Sequence, residues 1–244
     1  METPRRDLPI VTSSSFPLNM APDAVDDMYY GCDKEMKKKV KKEYFRKEFV
    51  GTFKDAWEKA KKCSNKYSKD LTKNQRQAIC VYTSNDIYDE FNEAVRTGRS
   101  IYGSTFPFHS LHFWLTTAIQ KVKKSQKSQK CQTTYRRTWH EFTGKVNDII
   151  RFGAFASSSY NKSLTHFGSK TCFEIKTCSG AYLKNYSEIP EEEEVLIPPY
   201  ETFKITDIIK GRNKFKNLKD CEKVFVLKSE RKDKSNLNCK LAPK

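Results

Sequence analysis

The periodicity of the chain changes once, near residue 123, and that change restricts the fold more than any single motif. Upstream, apolar residues recur at three- and four-residue steps. Met36, Val40, Tyr44, Phe53, Trp57 and Ala60 follow Asp33, an expected N-cap, through a Lys-rich segment. This predicts one or two amphipathic helices. Further helices are predicted over 73–82, over 87–95 with Gly98 as the stop, and over about 107–122, where Phe108, Leu111, Leu115, Ala118, Ile119 and Val122 recur at helical spacing. After a Lys/Ser/Gln linker at 123–130, β-type runs follow at 131–136, 148–156, 170–177, 194–197, 201–209 and 222–228. Helices first and strands second indicate α+β rather than an alternating α/β sheet. The expectation is one domain over 21–244, helical over about 33–125 and strand-rich over about 131–240, behind a loose arm at 1–20.

Charge and cysteines narrow the class. Forty-six Lys and Arg against 30 Asp and Glu give a net charge of +16 over 244 residues, a surface drawn to polyanions of any chemistry. Lys34, Lys37, Lys38, Lys39, Lys41 and Lys42 lie around the non-core positions of the first helix, either as a solvated face or as a polyanion patch. Eight cysteines from Cys32 to Cys239, without a CxxC pair or a Cys/His cluster, suit an oxidising compartment with up to four disulfides; incidental thiols in a reduced cytosol are the alternative. His109 and His112 have no carboxylate or Cys at ligand spacing, so they read as structural or exposed, and no metal is expected. Met1–Ser15 has no apolar h-region, Leu241–Lys244 no hydrophobic anchor tail, and no stretch approaches a membrane span. A soluble, secreted or luminal chain is expected; either it is given in mature form with an added methionine, or the cysteine argument misleads. Neither GxGxxG nor GxxxxGK[ST] occurs, so a Rossmann site or a P-loop is not supported.

Three stretches of the second half carry chemistry. Glu191-Glu192-Glu193-Glu194 runs into Val195-Leu196-Ile197, and Pro198-Pro199 should end that strand or confine it to an edge. If the acids are extended, Glu192 and Glu194 share one face and Glu191 and Glu193 the other; a solvated loop is the alternative for the whole run. Tyr135-Arg136-Arg137-Thr138 puts an arginine at a strand end, suited to bidentate phosphate contact. Arg151 to Ser159 places hydroxyls directly after a strand, where a serine can orient a carboxylate.

In this order the stretches resemble the vertebrate ecto-ADP-ribosyltransferase family, arginine-specific mono-ADP-ribosyltransferases that share a fold with clostridial C2- and C3-like toxins. The resemblance extends to Asp26–Cys32, Tyr82-Thr83, Phe91–Arg96 and Asn238-Cys239, covering about 20–240. It implies a mixed-sheet, sandwich-like core carrying an NAD site. It also implies that Arg136 holds NAD, Ser157 orients the catalytic glutamate and touches the nicotinamide ribose, Glu194 is that glutamate, and Glu192 receives the acceptor arginine. Ser187 and Tyr82 match further positions near the nucleotide. The implied reaction moves ADP-ribose from NAD to arginine-bearing acceptor proteins and releases nicotinamide. An NAD glycohydrolase on the same fold, and a non-catalytic basic module that binds polyanions, are the alternatives, and a monomer is expected.

Two departures bear on the pocket. Arg137 stands where the family usually has Gly, and crowds the nicotinamide unless its φ is negative and its side chain points away. Ala154 stands where many members have Gln. The resemblance also implies the disulfides Cys32–Cys239 and Cys131–Cys178, and leaves Cys63, Cys80, Cys172 and Cys221 either paired or free.

Overall fold

The structure, a computed structural model, describes residues 14–63, 68, 70–126 and 131–242. The first thirteen residues of the expected arm, 127–130 of the expected linker and the last two residues lie outside it. Where the arm is described it pairs: β1 (Ser15–Pro17) lies parallel to β3 (Glu141–Thr143), and Asn19 bridges Arg151.

The helical half contains α1 (Asp33–Lys39), a π-helical turn (Val40–Tyr44), α2 (Phe45–Glu48), α3 (Gly51–Lys59), α4 (Lys73–Thr83), α5 (Tyr88–Thr97) and α6 (His109–Ser125). Asp33 is the first helical residue, with Cys32 in the cap position and no side-chain cap. The predicted stripe is buried at Met36, Val40, Tyr44, Phe53, Trp57 and Ala60. The chain turns at Phe49, whose ψ of 63° leaves the helical region, which separates α2 from α3. A capping box starts α4, with Gln75 N–H donating to Thr72 Oγ1 at 3.3 Å and Thr72 N–H to Gln75 Oε1 at 3.0 Å. Gly98 opens a 3₁₀ turn and keeps φ at −86°, so it is no left-handed stop. Continuing through Ser125, α6 takes in the first residues of the expected linker. His109 and His112 are structural. His109 Nδ1 meets Glu48 Oε1 at 2.8 Å, and His112 sits between Tyr29 Oη and the Val25 carbonyl. Burial drives the His112 pKa down to about 4, so the ring is neutral and accepts the tyrosine proton at Nδ1 while donating from Nε2.

The other half comprises β2 (Gln132–Thr138), β4 (Ile149–Ile150), β5 (Ala156–Ser159), β6 (Thr171–Thr177), β7 (Ala181–Tyr182), β8 (Glu194–Ile197), β9 (Glu201–Lys210) and β10 (Lys223–Asp233). They form one mixed ladder, β4-β9-β10-β6-β2-β5-β8-β7, antiparallel except where β10 and β6 run parallel. The run expected at 148–156 is two strands, because Gly153 turns the chain at φ +71°. A side chain there would meet Ala21 Cβ at 2.4 Å, so the turn requires glycine. β8 is not an edge: it lies between β5 and β7 and ends before Pro198.

The α+β expectation holds. One core joins the helices to Phe155, Ala181, Leu183 and Leu196 on one face of the short strands. A second joins Ala156 and Ile197 to Ile150, Phe203, Ile205, Phe173 and Phe225 from the other end of the ladder, so the sheet curls over itself in the expected sandwich-like manner. β8 belongs to both cores, as does the Phe155–Ala156 step into β5, and the mouth between these strands and the helices is where the site forms.

Candidate active site

Alternation along β5 and β8 decides what reaches that mouth. Ser159 pairs with Glu194 and Ser157 with Leu196, so Ser157 and Glu194 project from the face that packs toward the helices. Burial raises the Glu194 pKa, and the Ser157 hydroxyl lies close enough to the carboxyl to lower it. Ser158, facing the other way, donates to the Val195 carbonyl at 2.8 Å. Arg136 enters from β2 and donates through Nη1 to the Ser157 carbonyl at 2.7 Å. From α4, the buried Tyr82 donates to the Phe155 carbonyl at 3.0 Å, lies 3.4 Å from Ser157 Oγ and accepts from Asn92 Nδ2 at 3.2 Å. These residues wall a cavity of about 230 Å³, and Tyr88, Tyr135, Glu192, Leu164 and Phe167 are among the others that line it.

The structure therefore brings Arg136, Ser157, Glu192, Glu194 and Tyr82 together. Ser187 is not on the cavity wall: it is buried, and its Oγ accepts from Ile189 N–H at 3.1 Å, shaping the turn that precedes the acids. Ala154 is buried off the wall as well.

The route by which Glu192 reaches the cavity differs from the extended reading. Pro190–Glu192 is a 3₁₀ turn and Glu193 is left-handed at φ 47°, ψ 44°, so strand geometry begins only at Glu194. A proline at the start of the turn and Ser159 Oγ, donating to the Glu192 carbonyl at 2.5 Å, hold this geometry. Glu192 is half-buried at the rim, while Glu191 and Glu193 are exposed.

Electrostatics separate the two carboxylates. Burial pushes the Glu194 pKa up to about 7; the Glu192 charge adds to this, while the Ser157 hydroxyl and Arg136 oppose it. Glu192 is also raised by burial, with His166 acting against. For Arg136, burial works against the charge, but Tyr88, Tyr82 and Glu194 outweigh it and the guanidinium pKa rises. Tyr88 escaped the sequence reading. It is the first residue of α5, and its partner on β2 is distant in sequence, so no local pattern marks it.

Arg137 lines the cavity, but its guanidinium is held away from it. Its φ is not positive, and as the strand neighbour of Arg136 it carries its guanidinium toward the opposite face. There Nε and Nη2 donate to the Lys162 carbonyl at 2.9 and 2.7 Å, and Nη1 and Nη2 to Asp220 at 2.7 and 3.0 Å. Arg137 thus ties down the segment that supplies Leu164 and Phe167.

All eight cysteines pair: Cys32–Cys239 and Cys131–Cys178 as the resemblance implied, together with Cys63–Cys80 and Cys172–Cys221. Among the described residues the only grouping with metal-ligand proximity is Cys63, Cys80 and Glu188, whose two sulfurs are joined to each other. No helix among them is long and apolar enough to cross a membrane.

A strand arginine, a strand serine and a buried glutamate around one mouth of a curled mixed sheet define the class as ADP-ribosyl transfer. Residues 18–223 match the family model "NAD:arginine ADP-ribosyltransferase", and the chain belongs to that family. Ecto-ADP-ribosyltransferase 5 of Bos taurus is 40% identical over 215 residues, covering 81% of this chain and 68% of the relative. The crystal structure of the eucaryotic mono-ADP-ribosyltransferase ART2.2 is similar at a TM-score of 0.76 and 34% identity, covering 92% of this chain and 98% of that one. An ART2.2 variant in complex with NADH is similar at 0.77 and 33%, with the same coverage. Ecto-type relatives and four disulfides point to an extracellular, oxidising setting.

Proposed function

We propose that this mouth binds NAD and that Glu194, Ser157, Arg136 and Glu192 carry out the family's transfer of ADP-ribose to arginine. The observation that carries the assignment is the buried Glu194 carboxyl beside Ser157, with Arg136 on the same wall and Glu192 at the rim. The wall suits NAD: a guanidinium kept charged can meet a phosphate, and the rings of Tyr82 and Tyr88 flank it. ART2.2 variants solved with NADH and with NAD support the same choice of substrate.

The bond between nicotinamide and ribose breaks with its electrons leaving on nicotinamide, and positive charge develops on the ribose ring. An ionised Glu194 stabilises that charge, as in glycoside hydrolysis. Ser157 keeps the carboxylate oriented, and Tyr82 holds Ser157. The acceptor guanidinium, protonated in water, binds Glu192 and passes a proton to it as its nitrogen attacks ribose.

Glu192→Gln is expected to lose transfer to agmatine yet keep NAD hydrolysis, while Glu194→Gln loses both. Nicotinamide release and agmatine labelling, assayed separately, test this; equal loss in both assays for Glu192→Gln refutes the role given to Glu192. The same pair of assays decides against a glycohydrolase, for which the parent releases nicotinamide and labels nothing. The partners are arginine-bearing acceptor proteins, the chain acts as a monomer in an extracellular or luminal compartment, and the +16 charge attracts polyanions.

A further inference from the structure

We propose that the helical half carries a second binding site, a basic cavity for a sulfated polysaccharide chain, separate from the NAD mouth. The proposal rests on the polyanion reading above and places it at one location. A cavity of about 250 Å³ lies where α1 and its π-helical continuation, the start of α4 and the second half of α6 meet, and it shares no lining residue with the catalytic mouth. Lys37, Lys41, Lys73 and Lys121 converge on it from these three directions. All four are exposed, and among the described residues none forms an ion pair. Ion pairs such as Lys59–Asp86, Lys170–Glu222 and Lys223–Glu141 are few in this basic chain, so what marks these four lysines is their convergence on one concavity with a single carboxylate among its lining residues.

The positions follow from the helices. Lys37 and Lys41 are one helical step apart and project from the same side. Lys73 is the first residue of α4, whose N-terminus adds partial positive charge, and the Asn74 N–H has no acceptor among the described residues. The π-helical turn at Val40–Tyr44 and the capping box at Thr72 fix the two walls. On the floor, the Gln75 amide donates to Thr117 Oγ1 at 2.9 Å and its oxygen accepts from Lys121 Nζ at 3.1 Å. A single carboxylate, Asp33, lies on the rim.

Three features select the ligand. The charge does not stop at the cavity: Lys34, Lys38 and Lys42 continue along the first helix and Lys124 along α6, which matches a linear polyanion rather than a single phosphate. The aromatic residues beneath, Phe113 and Trp114, are each only 3% exposed, so no ring is offered for base stacking, the interaction on which single-stranded nucleic acid binding depends. Four disulfides and ecto-type relatives put the chain where sulfated glycans are the abundant linear polyanions. Lys73 opens α4 and Tyr82 lies near its end, roughly 14 Å further along at 1.5 Å per residue. A glycan held at the first therefore leaves the NAD mouth open and tethers an active enzyme.

The experiment compares the parent, a variant with Lys37, Lys41, Lys73 and Lys121 all changed to Gln, and a charge-matched control with Lys210 at the end of β9 and Lys214, Lys216 and Lys219 of the β9–β10 connection changed to Gln. The probe is a size-defined heparin hexasaccharide, titrated at near-physiological salt, beside a single-stranded oligonucleotide of equal charge. The cavity variant is expected to lose hexasaccharide affinity by roughly tenfold or more with a shallower salt dependence, and the control to lose little. Agmatine labelling by the cavity variant should match the parent, which also reports that it has folded. Equal losses in the cavity variant and the control overturn the site while leaving general attraction to polyanions. No binding by the parent overturns both. Tighter oligonucleotide binding, lost in the cavity variant, overturns the glycan assignment.

Discussion

At the scale of single residues, the outcome turns on how burial sets the charge of Glu194. Its pKa of about 7 places the protonation change in the working range, and the chemistry needs the ionised form. We therefore expect kcat/KM for NAD to rise with pH to a plateau, with an apparent pKa near 7, falling about tenfold per unit on the acid side. Stability should run the other way. Between the ordinary value of 4.5 and about 7 the folded state holds the proton more tightly than the unfolded chain, so stability falls as pH rises through that window, by on the order of 3 kcal/mol in total. Glu194→Gln removes the penalty: its Tm should exceed the parent's at pH 8 and converge with it near pH 4. A Tm difference independent of pH would contradict this. Arg137 makes the second case. Arg137→Ala removes the fork that joins the Lys162 carbonyl to Asp220, and should raise KM for NAD several-fold while costing about 1–2 kcal/mol, discounted because Asp220 is 43% exposed. Steady-state kinetics and thermal melts read both, and an unchanged KM would show that the segment carrying Leu164 and Phe167 stands without it.

At the scale of elements, the start of the chain, the loop before β5 and the segment after β10 are held by one buried pair. Arg151 Nη1 meets Asp26 Oδ2 at 2.6 Å, with side chains 1% and 0% exposed. Asp26 also accepts from the Asn236 and Leu237 amides at 2.9 and 3.0 Å, and Arg151 donates to the carbonyls of Met20, Ala21 and Lys234. Asp26→Asn leaves the guanidinium buried without its counter-charge and should cost about 3–5 kcal/mol in urea unfolding. Loss of hydrogen-exchange protection at Leu237 should accompany it; a shift below about 1 kcal/mol would show that the carbonyls alone satisfy Arg151. Both Asp26 and Arg151 stood in stretches of family likeness, but nothing local marks them as partners, since they are distant in sequence. The same limit explains what was and was not legible elsewhere. The helical stripes of α1–α6 and the apolar runs of β6, β8 and β9 could be read because periodicity is a local property, and the Arg136, Ser157 and Glu194 stretches because each lies within one strand. The turn at Pro190–Glu193 could not be read, because four glutamates are compatible with strand or loop until Ser159, from another strand, pins the Glu192 carbonyl. Pairs as short as Ala181–Tyr182 exist only because β8 offers them a partner.

At the scale of the whole molecule, the four disulfides divide into one long closure and three shorter ones. Cys32–Cys239 spans 207 residues and joins the entry to α1 to the last described turn, whereas Cys63–Cys80 spans 17 and closes only the approach to α4. If the constraint acts on the unfolded chain, the loops contribute about 5 and about 3 kcal/mol respectively. The long bridge also holds the ends that Asp26 gathers, since Cys239 N–H donates to Asp27 Oδ1 at 3.0 Å and Tyr30 N–H to Asn238 Oδ1 at 2.9 Å. Replacing Cys32 and Cys239 together by Ser should therefore lower the urea midpoint further than replacing Cys63 and Cys80, and should leave agmatine labelling intact below the new midpoint, because the bridge lies outside the cavity wall. The Cys63–Cys80 pair sits closer to the chemistry. Cys80 precedes Tyr82 on α4, and Thr83 Oγ1 accepts from Glu188 N–H at 2.9 Å just ahead of the acidic turn. Opening the short loop should consequently cost less stability but more turnover. Urea melts and agmatine kinetics on the two double variants decide it. If the short-loop variant is both the less stable and the more active, then loop entropy does not rank these bridges and α4 does not depend on Cys63 to hold Tyr82 against Ser157.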